Sequence, residues 1–159
     1  MFTIERESPA QPEVGELLGA LDLYLGSLYP PEANHILDVA ALQRAEVTFL
    51  VARDAAGHAV ATGAYRRCDG DSTDGLAYAE IKRMFVDPAR RGLGLGARML
   101  AALEARARDE GLAVARLETG RDQPEAVRLY ESAGFSRCAA FGGYPDNGLS
   151  LFYAKDLSR

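Results

Sequence analysis

Apolar residues return every three or four positions at Val14, Leu17, Leu18, Leu21, Tyr24, Leu25 and Leu28. That spacing predicts an amphipathic helix with Pro12 in its first turn, stopped by Tyr29-Pro30-Pro31. Residues 32–43 read as a loop with room for a short second helix. The period then shortens. Residues 47–53 are rich in β-formers, Asp54-Ala55-Ala56-Gly57 is a turn signal, and residues 58–67 resume extended character through Val60, Thr62 and Tyr65, so a hairpin is expected. Residues 69–75 are polar and turn-rich and should form an exposed loop. Residues 77–87 read as a strand that Pro88 prevents from continuing as a central one. Met99, Leu100, Leu103 and Ala107 share the face of a long helix, with Gly111 placed as its C-terminal cap. Residues 114–118 make a short strand. Asp122 and Glu125, with Pro124 between them, resemble a capping box opening a helix whose apolar face is Ala126, Leu129, Tyr130 and Ala133, and Gly134 ends it. Residues 135–141 look extended, Asn147-Gly148 is a hairpin turn signal, and residues 149–155 form the last strand.

A chain of 159 residues and 17.1 kDa suits one domain spanning residues 1–159, and it can bury a core without staples. No apolar run approaches the roughly 18 residues that would cross a bilayer, and the charged N-terminus has no signal-peptide core, so a cytoplasmic location is expected. Cys68 and Cys138 lack a CxxC partner or a histidine neighbour, which points to free thiols and to no metal site. A net charge of −5 argues against nucleic acid or anionic membrane as partners. Against that acidic background Lys82, Arg83, Arg90, Arg91 and Arg98 form a basic island, which suggests a local anionic ligand.

The glycines beside that island give it meaning. Arg91-Gly92-Leu93-Gly94-Leu95-Gly96 lies between a strand and a long helix, where glycine lets backbone amides turn inward and the helix N-terminus favours an anion. A pyrophosphate site follows from this. The same six residues fit the Arg/Gln-x-x-Gly-x-Gly pattern by which GCN5-related N-acetyltransferases grip coenzyme A, and residues 79–92 resemble that family's central strand running into its motif. Residues 123–135 resemble its later helix, whose usual form is Asn-x-x-Ala-x-x-Leu-Tyr-x-x-x-Gly-Phe, with Gln123 in place of the asparagine. The resemblance covers residues 46–156, and the whole chain is similar to a bacterial subgroup of small-molecule acetyltransferases.

This resemblance implies an α+β fold, a mixed and mostly antiparallel sheet of about seven strands flanked by helices, with two central strands, 77–87 and 114–118, splaying to admit the pantetheine arm. It implies acetyl-CoA as cosubstrate, no metal, and transfer to an amine of a small molecule or peptide by direct attack in a ternary complex; a homodimer is part of the same pattern. Cofactor contacts are implied at Met84, Phe85, Val86, Arg91, Gly92, Leu93, Gly94, Leu95, Gly96, Ala97, Gln123 and Tyr130, with the amides of Met84 and Val86 facing the cofactor. Tyr130 would be the general acid. By position alone Tyr130 suits the core of its helix face.

Glu80 stands eleven residues before Arg91, where histone-acetylating relatives carry the general base, and in a regular strand it shares a face with Met84 and Val86; a strand carboxylate also suits a plain ion pair. His35, Tyr144 and Asp146 are candidates for acceptor binding, against the plainer reading of surface side chains. Two other classes fit part of the chain. A module could keep the acyl-CoA pocket without chemistry, and Gly92, Gly94 and Ala97 with Glu118 satisfy a relaxed dinucleotide fingerprint, although five residues separate strand from glycines.

Overall fold

The computed structural model describes residues 1–70 and 74–158. Strands β1 (Thr3–Arg6), β2 (Val47–Arg53), β3 (Ala59–Cys68), β4 (Tyr78–Val86), β5 (Val114–Gly120), β6 (Ser136–Arg137) and β7 (Ser150–Asp156) form one sheet in the order β1-β2-β3-β4-β5-β7-β6. The helices are α1 (Pro12–Leu28), α2 (Val39–Leu42), α3 (Leu95–Asp109) and α4 (Pro124–Ser132). Only β4 and β5 pair in parallel, and the other neighbours are antiparallel. The sheet is therefore mixed and mostly antiparallel, as expected. A doubly wound parallel sheet is excluded, and with it the dinucleotide reading of the glycines.

The apolar periods decide which helix covers which face. Val14 and Leu18 of α1 pack on Phe49, Val51 and Ala64, while Leu17 and Leu21 meet Phe85. On the opposite face Leu95, Met99, Leu100, Leu103 and Ala107 of α3 pack on Leu50, Ala61, Tyr65, Ala79 and Ile81. Each fully buried leucine contributes about 1.5–3 kcal/mol, so these two stripes fix both helices to the sheet. α3 closes with Gly111 at φ +82, where Leu112 N–H reaches the Ala107 carbonyl at 3.0 Å.

Several local expectations need correction. β1 forms where no strand was expected, pairing with β2 through Thr3–Arg6. Of residues 135–141 only Ser136–Arg137 pairs as strand, because Phe141 turns inward onto Tyr78 and Phe152. The Asn147-Gly148 bend lies in a broad loop rather than a two-residue hairpin. The α4 N-cap is Gln123, without a side-chain cap, because Asp122 N–H is taken by Tyr29 Oη at 3.0 Å. Of the polar loop expected at 69–75, residues 71–73 lie outside the described residues.

Two irregularities in β4 shape the site. Its pairing with β5 is limited to Ala79↔Ala115 and Glu80↔Arg116, after which the strands part. On its other edge Lys82 opposes Ala64 and Phe85 opposes Thr62, so two residues of β4 face one of β3. The extra residue is Arg83, at φ +57. Thr62 Oγ1 donates to its carbonyl at 2.8 Å. Gly63 leaves the room: a Cβ there would lie 2.7 Å from Met99 and 2.9 Å from Met84. This bulge resets the alternation of β4. Met84 and Val86 pack towards the α3 cluster, whereas Glu80 and Lys82 point to the α1 side, against Arg66 and His35. The face that Glu80 was expected to share with Met84 and Val86 does not exist.

Candidate active site

A cavity of about 340 Å³ opens between β4, α3 and α4, lined by Met84, Phe85, Val86, Arg90, Arg91, Gly92, Gly94, Leu95, Gly96, Ala97, Gln123, Leu129 and Tyr130 among others. Local geometry explains its character. Gly94 is the N-cap of α3 at φ +73, and Gly92 sits at φ +80. No side chain caps α3, and its first i→i−4 bond runs from Arg98 N–H to the Gly94 carbonyl at 3.1 Å. The amides of Leu95, Gly96 and Ala97 therefore remain without helix partners. Gly96 is close to its limit of approach, since a Cβ there would meet Leu129 at 3.3 Å. Asp87 N–H bonds back to Val60, so strand alternation turns the Val86 amide and carbonyl towards the cavity, where Arg91 Nε donates to that carbonyl at 3.2 Å. Free amides, two arginines and an apolar trough suit an elongated, phosphate-bearing cosubstrate.

The basic island does not act as one unit. Arg90 and Arg91 reach this cavity, Arg98 turns to the Phe2 carbonyl, and Lys82 and Arg83 belong to the other side of β4. Leu93 is 57% exposed and outside the lining.

A second cavity, of about 100 Å³, adjoins the first and shares Leu21, Met84, Gln123 and Tyr130 with it. Its walls include Leu25, Tyr29, His35, Ile36, Lys82, Arg83, Glu118, Thr119 and Ser150. Tyr130 thus stands at the junction, on the helix face that also packs on Phe135. Burial pushes its phenol above the ordinary value and the Glu118 carboxylate adds to that, so the proton stays on oxygen across neutral pH. The Glu118 carboxylate makes no hydrogen bond or ion pair with the described residues. Sequence reasoning met Glu118 only as part of the dinucleotide alternative. The alternation of Ala115 and Leu117 with Arg116 and Glu118 was the available signal, because it puts a carboxylate on the open face of a strand beside the splay.

Glu80 lines neither cavity. It is 1% exposed, and its oxygens are occupied by Arg66 at 3.0 Å, by Lys82 at 3.3 Å and by the Tyr144 hydroxyl, which donates to Oε2. Tyr144 also accepts from Lys82, and its ring stands edge-on to His35 at 4.8 Å. Burial first, and then the Glu80 charge, push the Tyr144 phenol up, so it remains a donor. The structure therefore brings His35 to the second cavity, sets Tyr144 and Glu80 behind its wall, and leaves Asp146 exposed and away from both cavities. Cys68 and Cys138 are free thiols that line neither cavity.

Comparison with known proteins places this geometry. Residues 15–135 match the model of the acetyltransferase (GNAT) family. An IAA acetyltransferase of Azospirillum brasilense is 45% identical over 155 residues, covering 98% of this chain and 97% of that protein. The N-acetyltransferase YsnE of Bacillus subtilis is 30% identical over 130 residues, covering 80% of this chain and 82% of its own. Among solved structures, an acyl-CoA N-acyltransferase-type protein of Klebsiella pneumoniae superposes with a TM-score of 0.78 at 35% identity, covering 99% of this chain and 98% of that one. The chain belongs to the GNAT acetyltransferase family. It is an acetyl-CoA-dependent acetyltransferase. Among the described residues no helix is long and apolar enough to cross a membrane.

Proposed function

We propose that the acceptor is a primary amine of a small molecule or peptide, held in the smaller cavity and relieved of a proton by Glu118. The observation that carries this reading is a carboxylate that lines the cavity beside Tyr130 and has no partner among the described residues. An amine with a lysine-like pKa of about 10.4 costs roughly 4–5 kcal/mol to deprotonate at pH 7, so a positioned base matters. Glu80 is less suited to that work, since cations and a hydroxyl occupy its oxygens and it touches neither cavity. Its part is to fix Lys82 and Tyr144.

Bound acetyl-CoA supplies the acetyl thioester. Tyr130, protonated at the junction, offers a hydrogen bond where a thiolate must be released; with a thiol pKa of about 8.5 the proton favours the phenol, so the bond matters more than a completed transfer. Two cavities that meet at Met84, Gln123 and Tyr130 favour direct attack in a ternary complex, and the two cysteines are out of reach as relays. Use of acetyl-CoA supports a cytoplasmic location. A homodimer belongs to the same proposal, tested by sedimentation equilibrium against the 17.1 kDa of one chain.

The test is thiol release from acetyl-CoA across a panel of primary amines. Glu118→Gln should lower turnover of every accepted amine by about a hundredfold at pH 7, within the usual range for a general base. Parental turnover in that variant, with chemistry rate-limiting, would remove Glu118 from the reaction.

A further inference from the structure

The smaller cavity carries charge of both signs in an arrangement that selects among amines. Lys82 and Glu118 both line it. They stand on adjacent strands and the same face, each two residues beyond the last paired couple, Glu80↔Arg116. No ion pair joins them, because β4 and β5 part at that point. Charge balance on the Lys82 side is incomplete. Glu80, behind the wall, is one carboxylate shared by two cations, Arg66 at 3.0 Å and Lys82 at 3.3 Å, so it does not neutralise both. Arg83 does not add to the excess, since its guanidinium is paired with Asp22. On the same wall His35 has a buried Nε2 without a hydrogen-bond partner, while its carbonyl accepts from Lys82 Nζ at 3.1 Å. The remaining space is small, about 100 Å³, and Leu21, Leu25 and Ile36 add an apolar side to these polar walls.

We infer that the acceptor is a small amino carboxylate, a free amino acid in chemical class, whose amine faces Glu118 and whose carboxylate faces Lys82 and His35. This rests on the proposed role of Glu118 and extends it to the substrate's second charge. A lone amine would leave the Lys82 side of the pocket without a counter-charge, whereas a zwitterion answers both walls. A peptide N-terminus lacks the nearby carboxylate and is disfavoured for the same reason.

Thiol release from acetyl-CoA with matched pairs tests this: alanine against alaninamide, leucine against leucinamide, phenylalanine against phenylalaninamide. At least one free acid should exceed its amide in kcat/KM by roughly tenfold to a hundredfold, the range expected for a charge-assisted contact. Lys82→Met should bring that ratio towards one, chiefly through a higher KM for the acid, while Lys82→Arg should preserve it. A melting curve for Lys82→Met shows whether its fold is intact, and Lys82→Arg keeps the test alive if it is not. Amides used as well as acids by the parent, turnover of no member of any pair, or a ratio unchanged in a folded Lys82→Met protein would each overturn the inference. Loss of turnover in Glu118→Gln with the acid-to-amide ratio retained in the residual rate bears on the base alone, so the two readings fail separately.

Discussion

Tyr130 occupies a position where a core residue and a proton donor make different demands. Its ring packs edge-on against Phe135 with 6.0 Å between centroids, and the residue lines both cavities. Tyr130→Phe keeps the ring and removes only the donor. Turnover should fall by about a hundredfold, near the low end for acid catalysis, with the melting temperature unchanged. Full turnover under conditions where chemistry limits the rate would reduce the tyrosine to packing. The pattern Leu129-Tyr130 before Gly134-Phe135 made this residue visible in the sequence. The face shared by Glu80, Met84 and Val86 was misread for a physical reason: it depends on Arg83 adopting φ +57, and nothing in an arginine announces a left-handed residue. The one hint lay on the neighbouring strand, in Gly63 opposite the bulge.

At the scale of elements, the turn before α3 offers its backbone amides to the larger cavity. Gly94 has φ +73 and open space around it, so a valine there would clash with nothing in the protein but would force a β-branched residue into the left-handed region, at about 1–2 kcal/mol or more. Its side chain would also enter the space beside the free amides. Gly94→Val should therefore weaken acetyl-CoA binding at least about tenfold by calorimetry, and equal affinity in parent and variant would refute the phosphate site.

The β2–β3 turn makes a different prediction. The His58 amide above all, with Arg90 and the Ala56 amide, holds the Asp54 carboxyl down from 3.8 to about 2. A depressed carboxyl stabilises the fold fully above its unfolded value and loses that contribution as pH falls through the folded one. The thermal midpoint of the parent should drop between pH 3.8 and 2, and Asp54→Asn should show a smaller drop in that window. An identical drop in both proteins would contradict the assignment. The long elements α1, α3 and β2 were legible because their apolar period is strong. β1 was not, since Thr3–Arg6 has four largely exposed residues and no alternation to read, and β6 is only two residues long.

Over the whole molecule, one parallel pair in an otherwise antiparallel sheet opens the candidate site. β4 and β5 pair for two residues and then part, α3 and α4 close one side of the gap, and α1 closes the other by placing Tyr29 Oη against the Asp122 amide. The glycine motif could be read from sequence because it is contiguous, whereas the smaller cavity collects Tyr29, His35, Lys82, Glu118 and Ser150 from separate segments whose meeting depends on the fold. The central claim is that the base belongs to β5 and not to β4. The pH dependence of kcat/KM for the best amine, measured side by side in the parent, Glu118→Gln and Glu80→Gln, tests it most directly. The account predicts that Glu118→Gln shows a deficit shrinking as pH rises, because free amine then comes from solvent, while Glu80→Gln keeps the parent's profile shape at a lower level. A deficit that shrinks with pH in Glu80→Gln, beside a parental profile in Glu118→Gln, would contradict it.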